Sequence, residues 1–154
     1  MAEPLHIARI LVPIDGSEFS RHAAEHAMRI AQAYGAQMIF VHVVDQQVVD
    51  QLAGHEPGDG ARIRDRLWET GRSYLLDMAR LADAAGLGHG EEIAQGDPCA
   101  VICETAERLE ADLIVIGKIG RRGVRRIMMG SITRRVAESS ERPVLIVTGP
   151  PATR

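Results

Sequence analysis

One stretch of the sequence has the composition of an anion-binding loop. Residues 117–133 read GKIGRRGVRRIMMGSIT, with glycine at four positions, five cationic residues and a Gly-Ser pair before the next helical pattern. Glycine adopts positive φ and lets a ligand approach the backbone without meeting a Cβ atom. Successive free N–H groups can then form a concavity for an anion. The chemistry that this pattern predicts is phosphate binding by main-chain donors.

Positive charge is concentrated in the same part of the chain. Residues 118–135 hold seven of the 18 Lys and Arg residues and none of the 21 Asp and Glu residues, so this segment is +7 and the rest −10. Arg134 and Arg135 fall in the first turn of a predicted helix, where the helix dipole favours acids by about 0.3–1 kcal/mol. We expect a phosphate to compensate them. The alternative is that Gly130-Ser131 is a structural N-cap and the arginines are a solvated face.

The loop must be positioned by the elements around it, and these alternate between strand and helix. We predict strands at 7–15, 37–45, 89–95, 112–117 and 144–148, and helices at 18–34, 61–85, 98–109 and 131–139. This alternation is typical of an α/β protein with a parallel sheet. The run 113–116 is continuously apolar, as expected of a central strand. In such sheets ligands bind beyond the carboxyl ends of the strands, where residues 117–131 lie.

Local signals set the helix boundaries. In the first helix, the predicted apolar face consists of Ala23, Ala27, Ile30, Ala31 and Tyr34, and Gly35 ends the helix. Asp97 is a suitable N-cap and Pro98 a suitable first residue for the third helix. We interpret the one-turn pair Cys99 and Cys103 as small buried apolar residues.

Composition favours a single soluble domain over residues 1–154. Apolar residues make up 45% and charged residues 25% of the 154-residue chain, which is typical of globular proteins. Residues 45–61 are rich in Gly, Pro and acids and predict an irregular, variable loop, and 149–154 a polar tail. Because neither a targeting signal nor a membrane span is evident, we expect a cytoplasmic protein.

The motifs resemble those of the universal stress protein family over nearly the whole chain. The spacing Gly117-x2-Gly120-x9-Gly130-Ser131 is similar to the family's nucleotide-binding signature. The segments ILVPIDGSEFS, VHVVD, GDPCAVICETAERLEADLIVIG and RPVLIV resemble other family elements. The resemblance implies a three-layer sandwich, adenine nucleotide alpha hydrolase-like, with a five-stranded parallel sheet in the order 3-2-1-4-5 and four helices. It also implies a homodimer through the last strand, 144–148.

The resemblance further implies an adenine-nucleotide site, with ATP as the expected ligand and AMP or another adenine nucleotide as alternatives. Ten residues match the family's binding positions: Pro13, Asp15, Val43, Ile116, Gly117, Gly120, Gly130, Ser131, Ile132 and Thr133. The first three would surround the adenosine, Ile116 and Gly117 would border the ribose, and the others would hold or adjoin the phosphates. Asp15 has a second interpretation, because Asp-Gly also forms an ordinary turn. The pattern does not decide whether magnesium accompanies the phosphates.

Three other kinds of site are less consistent with the residues. HAAEH, residues 22–26, matches an inverted zinc-peptidase motif, but it lies on a predicted polar helix face without an evident third ligand. We therefore expect no metal site. A P-loop is absent, since no G-x4-G-K-[ST] occurs. Nucleic-acid binding is disfavoured because aromatic residues, at 3%, leave little for base stacking.

The expected function is therefore nucleotide-dependent regulation in a stress response, through a protein partner that the sequence does not identify. We expect no enzyme activity beyond slow ATP hydrolysis, because Asp15 is the one acid that the pattern places near the cleft. Two alternatives stay open. One is a slow nucleotide hydrolase or phosphotransferase, and the other is an interaction module that binds no nucleotide.

Overall fold

A parallel five-stranded sheet with helices on both faces forms the protein. The computed structural model describes residues 2–54, 58–119 and 128–149. The elements are β1 (Arg9–Pro13), α1 (Glu18–Tyr34), β2 (Gln37–Asp45), α2 (Gln46–Leu52), α3 (Asp59–Ala84), β3 (His89–Gly96), α4 (Pro98–Arg108), β4 (Leu113–Gly117), α5 (Ser131–Ser139) and β5 (Val144–Val147). All strand pairs are parallel and the order is β3-β2-β1-β4-β5, which confirms the predicted topology. Within the described ranges, every helix is too short or too polar to cross a membrane.

Capping interactions explain where several helices begin and end. The Ser17 side chain accepts a hydrogen bond from the Ser20 N–H at the start of α1, and Gly35 ends that helix with a φ of 67°. Asp97 accepts from the Ala100 N–H and Pro98 is the first residue of α4. These sequence signals were read correctly, and the bounds of α1, β2 and α5 agree with the prediction.

The core consists of two apolar layers, one on each face of the sheet. On one face, α1 and α3 cover Ile10, Val12, Met38, Phe40 and Val115. On the other face, α4 and α5 cover Leu11, Ile39, Val41, Ile114 and Ile116. Neighbouring residues of one strand therefore point to opposite layers, and both faces are apolar because both are buried. This sandwich holds the carboxyl ends of the strands rigidly on one side of the molecule.

Two details of the prediction are wrong. Residues 46–52, which we predicted to be irregular, form α2, so the described residues contain five helices instead of four. Asp45 accepts from the Gln47 N–H to cap α2, and Val49 is buried beneath it. Tyr34 does not belong to the buried face of α1, because it is 47% exposed at the last helical position.

Candidate functional site

The two central strands separate before they end. β1 and β4 pair only through Ile10 with Leu113 and Leu11 with Ile114. β1 nevertheless continues to Pro13, where it still pairs with Val41 of β2. From these ends the chain departs in opposite directions, to α1 on one face and towards α5 on the other. This is the topological switch point at which doubly wound sheets bind ligands.

A tight turn containing Asp15 follows β1. One Asp15 carboxylate oxygen accepts from the Ser17 N–H at 2.9 Å, and the Asp15 N–H donates to the Ser20 hydroxyl at 3.3 Å. Gly16 has a φ of 83°, and a Cβ there would lie 2.3 Å from the ring of Tyr74 on α3. The turn interpretation of Asp15 is thus confirmed. The turn also places this half-exposed carboxylate at the mouth of the opening.

His42 fastens the end of β1 to β2, and sequence analysis did not identify it. Its Nδ1 lies 2.6 Å from the Ile14 carbonyl oxygen, and because a carbonyl only accepts, Nδ1 carries the proton in this bond. The ring meets Tyr74 edge-on, with centroids 5.6 Å apart. A Cβ at Gly71 of α3 would lie 2.3 Å from the ring. A glycine inside a long helical pattern was the signal that marked this close contact.

Val43, the next residue, projects towards the opposite layer. It is half-buried and packs against the apolar cluster beneath α4. It pairs with Ala94 of β3, beyond the last residue of β1 that pairs with β2. Its main chain consequently lies at the carboxyl edge of the sheet, on the β2 side of the opening.

The start of α5 is held against the end of β4. The Gly130 N–H donates to the Lys118 carbonyl at 2.8 Å, and the buried Thr133 hydroxyl donates to the Gly117 carbonyl at 2.8 Å. A Cβ at Gly117 would lie 3.0 Å from the Phe19 carbonyl oxygen, so α1 also approaches closely here. These contacts bring Gly117, Gly130 and Thr133 together across the glycine-rich segment. Gly120 lies outside the described residues.

The N-terminus of α5 has no side-chain cap. Side chains cap α1, α2 and α4, whereas α5, like α3, begins at a glycine that supplies no side-chain hydrogen bond. The first N–H groups of any helix lack partners within it. Ser131 and Ile132 are exposed at this end, Ile132 to 38%. The arrangement can accept an anion through main-chain N–H groups and the helix dipole.

The prediction that a phosphate compensates Arg135 is wrong, because Arg135 pairs with Asp97. Its guanidinium forms two hydrogen bonds of 3.0 Å with the Asp97 carboxylate, which also caps α4 through Ala100. The Arg135 hydrogen bonds hold the pKa of Asp97 below its usual range, and the Ala100 N–H adds to that effect. The compensating charge for Arg135 therefore comes from the protein itself. A bound anion would therefore interact mainly with the main-chain N–H groups at the start of α5.

Two concave regions elsewhere contain none of the predicted site residues. One has a volume of about 650 Å³ along the outer side of α3, lined by Gly58, Ala61, Arg62, Asp65, Arg66 and Glu69. The other, of about 450 Å³, lies at the amino end of the sheet near Arg9, Gln37 and Arg108. We place the functional site at the strand opening instead, because β1 separates from β4 there and the first N–H groups of α5 lie beside the end of β4.

The zinc-peptidase pattern has no structural support. His22 and His26 are neighbours on α1, with ring centroids 6.4 Å apart, and His26 is exposed. Over residues 2–54, 58–119 and 128–149, no group of three or more His, Cys, Asp or Glu side chains is arranged to hold a metal ion.

Comparison with known sequences identifies close relatives. A family model described as "Universal stress protein family" matches residues 6–148. Universal stress protein MJ0531 of Methanocaldococcus jannaschii is 37% identical over 144 residues, covering 92% of this chain and 82% of the relative. Universal stress protein YxiE of Bacillus subtilis is 31% identical over 144 residues, covering 90% and 97%.

Solved structures share the fold. The protein MJ0577 has a TM-score of 0.82 at 24% identity, covering 93% of this chain and 96% of that one. A universal stress protein in complex with cAMP has a TM-score of 0.68 at 26% identity, with 95% and 100% covered. An Arabidopsis thaliana family protein with AMP bound has a TM-score of 0.70 at 20% identity, with 94% and 93% covered.

Proposed function

The chain belongs to the universal stress protein family, and from that membership we propose that it binds an adenine nucleotide, with ATP as the preferred ligand. The observation that carries this proposal is the separation of β1 from β4 beside the uncapped start of α5. The two nucleotide complexes among the related structures, with cAMP and AMP, support the ligand class.

The nucleotide would span the opening from β2 to α5. The adenosine would lie between Asp15 and the main chain of Val43, and the ribose would lie against Ile116 and Gly117. Backbone N–H groups at the start of α5, with the Ser131 hydroxyl, would receive the phosphates. Thr133 would act indirectly, since its hydroxyl donates to Gly117 and holds α5 in place. Pro13 would border the base, and Gly120 would complete the phosphate loop.

We propose that binding, not turnover, is the function, and that the bound state is reported to a protein partner. Fast phosphoryl transfer needs a residue that orients the nucleophile and a positioned metal. Asp15 already uses a carboxylate oxygen to form its turn, which limits its freedom to act as a base. Any hydrolysis would then be slow, and magnesium would accompany the phosphates.

The proposal also includes a homodimer formed through β5 and a cytoplasmic location. Among the described residues β5 pairs with β4 alone, and Val144, Leu145 and Ile146 are half-buried. An apolar edge strand of this kind is suited to pairing with a second copy, which would give a homodimer through 144–148. The free thiols of Cys99 and Cys103 fit a reducing compartment, and we place the protein in the cytoplasm.

Isothermal titration with ATP, AMP and cAMP, each with and without magnesium, tests the proposal. Gly130→Val should weaken ATP binding at least about 10-fold, or about 1.4 kcal/mol, because the branched side chain would crowd the phosphate donors. The Gly130 backbone, with φ −62° and ψ 151°, accommodates valine, so the variant should fold. Gly90→Val is the matched control, since a Cβ at Gly90 meets nothing within 4 Å.

Two results would contradict this function. The first is an absence of heat with all three nucleotides, confirmed by an equilibrium method. The second is an unchanged ATP affinity in the folded Gly130→Val variant. That result would show that the phosphates do not bind at the start of α5.

A further inference from the structure

Two cysteines lie one turn apart on α4, beside the apolar cluster that includes Ile116 and Val43. Cys99 is 4% exposed, and Cys103, one turn later, is half-buried against the same apolar cluster. Residues four apart on a helix have Cβ atoms about 5–6 Å apart on one face. Both cysteines are free. The pair is therefore a preorganised dithiol with one thiol accessible from solvent.

The helix geometry disfavours a direct bond between the sulfurs. A disulfide requires Cβ atoms about 3.5–4.5 Å apart, closer than a regular helical turn places them. An atom bonded to both sulfurs at about 2.3 Å, the zinc–thiolate distance, holds them about 3.5–4 Å apart at near-tetrahedral angles. That separation is within reach of two thiols on consecutive turns of one helix face. The pair consequently fits one bridging atom better than it fits oxidation.

The surroundings restrict what the bridging atom can be. Structural zinc takes four ligands, whereas the described part of the chain offers no third His, Cys, Asp or Glu arranged with this pair. Burial raises the pKa of Cys103 to about 11, so a free thiolate is disfavoured in this apolar layer. A suitable ligand needs only two sulfurs and leaves an uncharged product.

We propose that Cys99 and Cys103 bind a trivalent organoarsenical of the form R–As(OH)₂. Both S–H bonds and both As–OH bonds break, two As–S bonds form, and the two protons leave with the two hydroxides as water. No electrons are transferred, and the arsenic keeps its organic substituent as its third ligand. The product is neutral, which suits the apolar layer under α4. This site does not depend on nucleotide binding.

Entry would occur through Cys103, because Cys99 is almost fully covered. The first As–S bond forms at Cys103, and rotation of the Cys99 side chain then closes the ring. Since the helix already holds both thiols on one face, the second bond is intramolecular, and such closure strengthens binding about 10²–10⁴-fold. The ring would bridge consecutive turns of α4 without changing its backbone.

Phenylarsonous acid, the hydrated form of phenylarsine oxide, is the probe for a titration of the full folded chain. Intact mass spectrometry should show one adduct per chain that survives excess glutathione and is released by dithiothreitol. Cys99→Ser and Cys103→Ser should each lower the affinity at least about 100-fold. Circular dichroism of each variant checks that the helices are retained.

A repositioned thiol provides the matched control. In Cys103→Ser with Ala100→Cys, two thiols remain on α4, but adjacent helical residues do not face each other. Ala100 is exposed, so its replacement should not disturb the core. We expect this variant to lose glutathione-resistant binding. Equal binding by the control, two adducts per chain, or reaction only in denaturant would overturn the proposal.

Discussion

Replacing Gly71 by alanine should destabilise the protein, because the new methyl group would meet a ring that cannot move freely. The Cβ atom would lie 2.3 Å from Cδ2 and 2.9 Å from Nε2 of His42. That ring is held by its 2.6 Å contact with the Ile14 carbonyl and by Tyr74. Overpacking costs about 1–3 kcal/mol, while alanine gains about 1 kcal/mol of helix propensity over glycine. With so close a contact we expect a net loss of about 1–2 kcal/mol.

The same substitution at Gly60 is the control on the same helix. A Cβ at Gly60 would lie 3.4 Å from the Ala53 Cβ, an ordinary contact. Gly60→Ala should therefore leave stability unchanged or raise it by up to about 1 kcal/mol. Gly71→Ala should therefore lower the free energy of unfolding, whereas Gly60→Ala should not.

Urea unfolding, followed by fluorescence of Trp68 and by far-UV circular dichroism, measures these effects. Trp68 lies on α3, where its Nε1 donates to Gln95 at 3.1 Å. The circular dichroism shows whether a change in fluorescence accompanies unfolding of the whole domain or only a local rearrangement. For a chain of this size, 1 kcal/mol corresponds to about 2–4 °C in Tm. The double variant His42→Ala with Gly71→Ala should lose less stability than the sum of the losses in the two single variants. We expect the difference to be at least about 0.5 kcal/mol. If Gly71→Ala is as stable as Gly60→Ala, the proposed packing of His42 is incorrect.

Two further predictions concern side chains that join separate elements. Asp97→Ala should lose about 0.5–2 kcal/mol of stability with the α4 cap, whereas Asp97→Ser should retain most of it; equal losses in urea unfolding would exclude the capping role. The hydrogen bond with Asp83, opposed by burial and aided by Glu91, raises the pKa of His89 above 6.5. The contribution of His89 to the free energy of unfolding is therefore fully present below pH 6.5, and it is lost as the pH rises through the folded-state pKa. Unfolding curves from pH 5.5 to 8.5 should show that decline in the wild type and a smaller one in His89→Gln, and parallel curves would contradict it.

Much of the fold could be predicted because its signals are local. Asp97 with Pro98 and the Gly35 stop mark helix ends through the chain's own capping chemistry. The helix over 46–52 was missed because seven residues carry too little periodicity, and the Gly and Pro residues that follow suggested a loop. Asp45 was the available signal, since it caps the helix that begins at the next residue.

The site was predicted less completely, because its details depend on contacts between distant segments. Spacing alone indicated the glycine loop and the α5 start. It could not show that Asp97, 38 residues before Arg135, neutralises that arginine. Nor could it show that His42 would reach back 28 residues to Ile14. Such partners are set by the sheet order and helix packing, not by neighbouring residues.

The hydrogen bonds between the end of β4 and the first turn of α5 also affect how the intervening segment can vary in length. One hydrogen bond joins Gly130 to Lys118, and a second joins Thr133 to Gly117. Eleven residues lie between positions 118 and 130. Once the ends are fixed, doubling the number of residues costs only about 0.6 kcal/mol of closure entropy. A change in the number of residues between these two hydrogen bonds would therefore alter the closure entropy little and would leave both contacts in place.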